Sequence, residues 1–289
     1  MNSNFLISTQ ALSDRMANPS TSRNLRLFDC TTLLRQAGNT MTVESGLAAY
    51  NDAHIPGAAF LDLQRDFSDP DSDLRFTLPS AEAFNKAAAD HGINNDSHLV
   101  FYATTYPMWA TRLWWMFRIF GHQNVSVLDG GMKKWQSEHR PVSDQPARYQ
   151  PSTYKATQKP LKVADKAAVL AALDQDDVCV INALSHEQFR GEGSHYGRPG
   201  RIKNSQSLPW NEMLDPATGC FLPAETLAQK LSATSALEAK SVITYCGGGI
   251  AASVDLFALA LLGMEDKVSL YDNSMSEWAN DSDAPMQTG

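Results

Sequence analysis

The chain repeats its own plan. Val100-Phe101-Tyr102-Ala103 leads into a helical stretch, then Val125-Ser126-Val127-Leu128-Asp129 and Trp135. Ile243-Thr244-Tyr245-Cys246 leads into another, then Val268-Ser269-Leu270-Tyr271-Asp272 and Trp278. Counted from Ala103 and from Cys246, the Val-Ser pairs begin 22 residues on, the aspartates fall at 26 and the tryptophans at 32. Three matched offsets define a duplicated unit. Each half opens with a short apolar run, Leu25-Arg26-Leu27-Phe28-Asp29 or Val178-Cys179-Val180-Ile181-Asn182. A turn segment follows, His54-Ile55-Pro56-Gly57-Ala58 in one half and Arg201-Ile202-Lys203-Asn204-Ser205 in the other. Short β-rich runs alternating with helical patterns imply a parallel sheet with helices on both faces. The expected fold class is therefore α/β, as two tandem domains.

The length of 289 residues, 43% of them hydrophobic, suits two domains of about 100–150 residues each. Between His139 and Lys162, four prolines (Pro141, Pro146, Pro151 and Pro160) favour extended chain. The expected division is a first domain over 5–140, a linker over 141–160 and a second domain over 161–289. The polar tail after Trp278 is expected to be poorly ordered.

Charge narrows the function classes. A net charge of -8 without a basic block leaves no footprint for nucleic acid or an anionic membrane. No uncharged stretch reaches the roughly 20 residues of a membrane span, and the opening lacks the basic start and apolar run of a signal peptide. The expected location is cytoplasmic.

Four cysteines, Cys30, Cys179, Cys220 and Cys246, form no CxxC pair and no metal-type spacing with histidine. Cys179 lies in an apolar run, Cys30 follows a strand and Cys220 sits in a turn-like stretch. Cys246 differs, because Gly247-Gly248-Gly249-Ile250 joins a predicted buried strand, Ser241 to Tyr245, to a predicted helix, Ala251 to Leu262. Consecutive glycines let backbone N–H groups wrap around whatever the sulfur holds, and a helix N-terminus completes an anion cradle. Oriented N–H groups favour thiolate, the nucleophilic form, so a depressed thiol pKa is expected at Cys246. The loop alone also fits a small hydrophobe at a tight turn.

These residues resemble the rhodanese and mercaptopyruvate sulfurtransferase family over nearly the whole chain. The resemblance is carried by Tyr50-Asn51-Asp52-Ala53-His54-Ile55-Pro56-Gly57-Ala58, Arg112-Leu113-Trp114-Trp115, Gly121-His122 and Leu128-Asp129-Gly130-Gly131 with Trp135. In the second half it is carried by Tyr245-Cys246-Gly247-Gly248-Gly249-Ile250-Ala251. The resemblance implies that Cys246 carries sulfur as a persulfide, cradled by the backbone of Gly247, Gly248, Gly249, Ile250 and Ala251. It implies a first domain without the cysteine, in agreement with Ala103 at the matching place. It further implies ping-pong transfer from a small anionic donor, 3-mercaptopyruvate or thiosulfate, to cyanide, a thiol or a thioredoxin-like acceptor, with no cofactor or metal. The neutral loop favours a carboxylate-bearing donor, because thiosulfate enzymes of the family tend to place cations there. Donor-binding arginines are expected among Arg190, Arg198 and Arg201, whose forked donors suit an anion.

Departures from the family pattern are Gln188 for an arginine, Asn182 for an aspartate, Arg201-Ile202-Lys203-Asn204-Ser205 for the usual turn, and Asn and Met in the segment before Trp278. Asp62 keeps the aspartate of an assisting Asp–His pair, but Phe76 stands at the histidine position, which puts a serine relay in doubt. His54 reads as structural, and Trp114 and Trp115 as helix packing. A cysteine phosphatase needs an arginine six places after its nucleophile, where this chain has Ala252. The remaining alternative is a non-catalytic binding or sulfur-sensing module.

Overall fold

The computed structural model describes residues 4–37, 40–157, 163–193 and 196–289. Two five-stranded, wholly parallel sheets stand in the same internal order. In the first, the order is Leu6–Ile7, Val125–Leu128, His98–Tyr102, Leu25–Asp29, Ala59–Phe60. In the second, read from the matching edge, it is Val163–Ala164, Val268–Tyr271, Ser241–Tyr245, Val178–Asn182, Gln206–Ser207. His98–Tyr102 and Ser241–Tyr245 are the central strands, rich in β-branched and aromatic residues that suit a sheet covered by helices.

The duplication survives its sequence departures because they compensate each other. In the first copy the Tyr102 hydroxyl accepts the Ile55 N–H at 3.1 Å and lies near the Asp29 carboxyl. In the second, the Tyr245 hydroxyl accepts from Ile202 N–H at 3.1 Å, but also from the Asn182 amide at 2.9 Å. Asn182 thus donates where an aspartate could only accept, and with Ser205 Oγ donating to Ile202 O the Tyr245 proton goes to Ser205 Oγ, 2.7 Å away. Ser205 stands where the first copy has Ala58. Asn204 takes the left-handed place of Gly57, at φ 63° against 79°, a conformation asparagine tolerates better than most residues. The irregular second turn is the same turn with a rearranged hydrogen-bond circuit.

The halves share a core. The helix Met108–Ile119 of the first domain lies against Ala252–Leu261 of the second, with Trp114 edge-on to Phe257 at 4.8 Å and Thr111 Oγ1 bonded to Ser253 Oγ at 2.7 Å. All ten residues of Ala252–Leu261 are buried, not only the face of Val254, Phe257, Ala258 and Leu261, because the helix is enclosed by its own sheet and by the other domain. Burying Phe257 alone contributes roughly 2–3 kcal/mol. Contacts across the interface are reciprocal: Asp272 Oδ2 accepts the Leu78 N–H and Asp129 Oδ1 accepts the Phe221 N–H, both at 2.9 Å.

Of the expected linker, 158–160 lie outside the described residues, as do 161 and 162. The described part forms no helix or sheet strand and runs along the first domain, where Tyr149 bonds Leu27 and Gly57, and Thr157 bonds Phe120. The tail corrects the expectation of poor order. Met286–Gln287 pairs antiparallel with Arg201–Ile202, Trp278 Nε1 donates to Pro285 O at 3.0 Å, and Ala284 is buried. Its polar residues serve backbone turns, which composition alone does not reveal.

One buried carboxyl has no counter-charge. Asp255, nine places after Cys246 as Arg112 is after Ala103, is fully buried, with neither carboxyl oxygen hydrogen-bonded. Burial, and then the charge of Glu212, raise its pKa well above the usual carboxylate range. A carboxyl with a raised folded pKa loses stability as pH climbs past its unfolded pKa, since the unfolded chain ionises first. Asp255→Asn should therefore raise the melting temperature, with a gain small near pH 4 and larger at neutral pH, as calorimetry across that range would measure.

Candidate active site

Cys246 follows Ser241–Tyr245, the central strand of the second sheet. Its loop is held by two partners that take its carbonyls. Ser276 Oγ and Ser276 N–H both donate to Gly247 O at 2.8 Å, Met275 N–H donates to Cys246 O at 3.1 Å, and Ser274 Oγ accepts the Cys246 N–H at 3.0 Å. With its carbonyls drawn away, the loop turns the N–H groups of Gly248, Gly249, Ala251 and Ala252 towards the Cys246 sulfur. This is an anion cradle made of main chain. Of the expected loop residues, Gly248, Gly249 and Ala251 supply these N–H groups, and Ala252 adds a fourth.

The second partner comes from the first domain. Arg112, fully buried, reaches across so that Nη2 meets Asp272 Oδ1 at 2.6 Å and Phe76 O at 2.6 Å, while Nη1 donates to Gly249 O at 3.3 Å. Its guanidinium also lies over the Trp115 ring, 4.6 Å from the centroid. The three glycines then divide by function. At Gly249, φ is 72° and a β-carbon would stand 2.6 Å from Asp272 O and 2.9 Å from Arg112 Nη1. At Gly247 it would stand 2.0 Å from the Tyr196 ring, whereas at Gly248 it would meet only Ser276 Oγ at 3.6 Å and Arg75 O at 3.8 Å.

The thiol itself departs from expectation. Burial pushes the Cys246 pKa up, and the N–H groups of Ala252, Gly248, Ala251 and Gly249 offset this only in part. The sequence pattern identifies the N–H groups but not the seal over them: Cys246 is 2% exposed. In the closed site the proton is retained, and the cradle is set for charge that arrives with reaction.

The three expected arginines differ in what their guanidinium groups contact. Arg198 gives its guanidinium to the carbonyls of Trp278, Ala279, Asp281 and Ala284. Arg201 donates to Phe189 O and Gly289 O and stacks on Phe189 at 4.3 Å. Both tie the tail and adjoining segments together, with their guanidinium hydrogen bonds made to main-chain oxygens. Arg190, at the end of the short helix His186–Arg190, pairs with Glu192 at 2.8 Å in an exposed ion pair. Arg75, not singled out by its sequence, is exposed with its carbonyl beside Gly248.

Other expected assignments take structural places. His54 is buried, bonded to Tyr50 O and Gln145 O and stacked on Tyr50. Trp114 and Trp115 are buried in the helix contact. Asp62 caps Leu63–Asp66 by accepting from Arg65 N–H, and buried Phe76 supplies only its carbonyl to Arg112. Cys30 and Cys179 are buried, Cys220 is half-buried, and all four cysteines are free. Sequence reasoning missed Ser274, Ser276, Tyr196 and the clamping role of Arg112. Only the matched Asp129 and Asp272 offsets pointed towards that clamp.

A duplicated parallel α/β protein with one cysteine seated in a main-chain anion cradle defines a class. The chain belongs to the rhodanese-like domain family, whose domain matches residues 9–138 and again 165–281. It is 31% identical over 278 residues to the 3-mercaptopyruvate sulfurtransferase of Rattus norvegicus, covering 94% of this chain and 91% of the rat protein. It is 30% identical over 289 residues to the thiosulfate sulfurtransferase of Cricetulus griseus, covering 98% and 94% of the two chains. The crystal structure of SseA from Escherichia coli, a 3-mercaptopyruvate sulfotransferase, superposes with a TM-score of 0.83 at 28% identity, covering 95% of this chain and all of that one.

The loop's geometry gives contrasting expectations for neighbouring glycines. Gly249→Ala should lower stability by at least about 2 kcal/mol, combining a left-handed backbone penalty with a clash against Asp272 and Arg112, whereas Gly248→Ser should unfold within about 0.5 kcal/mol of wild type. Denaturant titration of both variants measures the difference. Arg112→Met should cost about 3–5 kcal/mol by the same method, because it leaves Asp272 a buried, uncompensated charge.

Proposed function

We propose that the protein is a sulfurtransferase that carries sulfur on Cys246 as a persulfide, with 3-mercaptopyruvate as its preferred donor. The observation that carries this reading is the set of four N–H groups turned on the Cys246 sulfur while the loop's carbonyls are tied to Ser276 and Met275. Such a cradle stabilises a thiolate in attack and the terminal anion of a persulfide afterwards, without reorganising as charge develops. The cysteine attacks the donor's sulfur, the donor's remainder departs, and a nucleophilic acceptor then removes the outer sulfur. A thiol, cyanide or a thioredoxin-like protein fits that second step.

Support for a carboxylate donor comes from the loop's lack of charge and from Tyr196, whose ring occupies the space beside Gly247. A cationic side chain at that position has no room. Arg190 and Arg75 are the cations assigned to the donor's carboxylate, since an exposed ion pair such as Arg190–Glu192 exchanges readily with another anion. Four free thiols suit a reducing compartment such as the cytoplasm.

The test incubates wild type and Cys246→Ser with 3-mercaptopyruvate or thiosulfate and reads intact mass, then measures turnover with cyanide as acceptor. Wild type should gain one sulfur atom and turn over faster with 3-mercaptopyruvate, and Cys246→Ser should do neither. Arg190→Ala and Arg75→Ala should chiefly raise KM. A wild-type protein that gains no sulfur from any donor would instead be a binding module.

A further inference from the structure

Tyr196 roofs the cysteine loop. Its hydroxyl oxygen lies 2.3 Å, and the ring carbon bearing it 2.0 Å, from where a β-carbon on Gly247 would stand, so the ring rests directly on the residue after Cys246. The side chain is anchored through its own main chain. Asn280 Nδ2 donates at 2.8 Å both to Tyr196 O and to Ser276 O, and Ser276 is the residue that holds Gly247. Two residues on, Arg198 grips the same region through its N–H to Ala279 O and its guanidinium contacts. The placement of the phenol over the loop is thus coupled to the loop's own support.

The phenol is a neutral acid at neutral pH: although the residue as a whole is 41% exposed, desolvation of its hydroxyl against the loop, and then the charge of Cys246, push its pKa up to about 12. A proton is what one of the two candidate donors requires. When Cys246 attacks 3-mercaptopyruvate, the C–S bond breaks and its electron pair leaves as the enolate of pyruvate, a strong base that must gain a proton at carbon. When it attacks thiosulfate, the S–S bond breaks and sulfite leaves as a stable anion that needs none.

We propose that Tyr196 is the catalytic proton donor to the carbon leaving group when Cys246 takes sulfur from a 2-oxo thiol. In this step the Cys246 thiol gives up its proton to solvent, the resulting thiolate forms an S–S bond to the donor's sulfur, the C–S pair passes to carbon, and the Tyr196 hydroxyl protonates that carbon to give pyruvate. The persulfide, still carrying the donor thiol's hydrogen, returns a proton to the phenolate and remains as its anion. Atoms and charge balance without an oxidant or reductant. The inference rests on the reading of Cys246 as the sulfur carrier.

The experiment measures single-turnover persulfide formation by rapid quench and intact mass for wild type, Tyr196→Phe and Tyr196→Ala, with each donor, and then discharge to cyanide. Tyr196→Phe keeps the ring over Gly247 and removes only the acid. It should slow transfer from 3-mercaptopyruvate by on the order of 100-fold, and abolish the solvent deuterium isotope effect on that step, while leaving thiosulfate and cyanide steps at wild-type rates. Equal losses with both donors would mean a purely structural roof and overturn the proposal, as would an unchanged rate with 3-mercaptopyruvate. Tyr196→Ala should match Tyr196→Phe with 3-mercaptopyruvate; a slower Phe variant would overturn the role by making the retained ring the obstacle. If wild type gains no sulfur, or Cys246→Ser does, the sulfur-carrier reading falls first, and the two failures are distinguishable.

Discussion

The Arg112 guanidinium touches the cysteine loop, and it comes from the other domain. A guanidinium with no exposure is costly to desolvate, and it is tolerated because a carboxylate, two carbonyls and a tryptophan face surround it. That arrangement makes the loop's shape a property of the whole molecule. Gly249 cannot carry a side chain because Arg112 and Asp272 occupy its surroundings, and Asp272 cannot move because it also receives the Leu78 N–H. A domain lacking the cysteine is thus part of the site, as the wall that fixes the loop.

Duplication explains how such a wall arises. Each copy presents an aspartate, Asp129 or Asp272, to a backbone N–H of the other, so the halves meet by a reciprocal rule. The symmetry breaks where function sits. Cys246 faces Ala103 in the paired position, and the arginine of one copy is answered by Asp255, a carboxyl with no partner, in the other. The copy that clamps and the copy that is clamped have therefore taken unlike residues at one equivalent place, a guanidinium in one and a carboxyl whose pKa burial raises in the other.

Much of this was legible in the sequence because it depends on spacing. Equal offsets gave the two sheets and paired Cys246 with Ala103, and the strand Ser241–Tyr245 has the bounds its composition suggests. Consecutive glycines identified the cradle. What could not be read depends on three-dimensional company. Arg198 and Arg201 had the right chemistry for an anion but lie against carbonyls of the returning tail. The thiol's pKa was expected to fall, since glycines announce N–H donors, but no local pattern announces Tyr196 approaching from 50 residues away. The turn at Arg201–Ser205 departs from the family pattern in sequence, but Asn182, Ser205 and Tyr245 share one rewired circuit that no single one of them announces.

The shared core between Trp114 and Phe257 bears on timing as well as stability. Two domains joined through buried aromatics cannot hinge apart for each donor molecule without exposing them to water. Entry to Cys246 then belongs to side-chain motion at the rim, which runs on picoseconds to nanoseconds for exposed residues, and not to domain opening on microseconds to milliseconds.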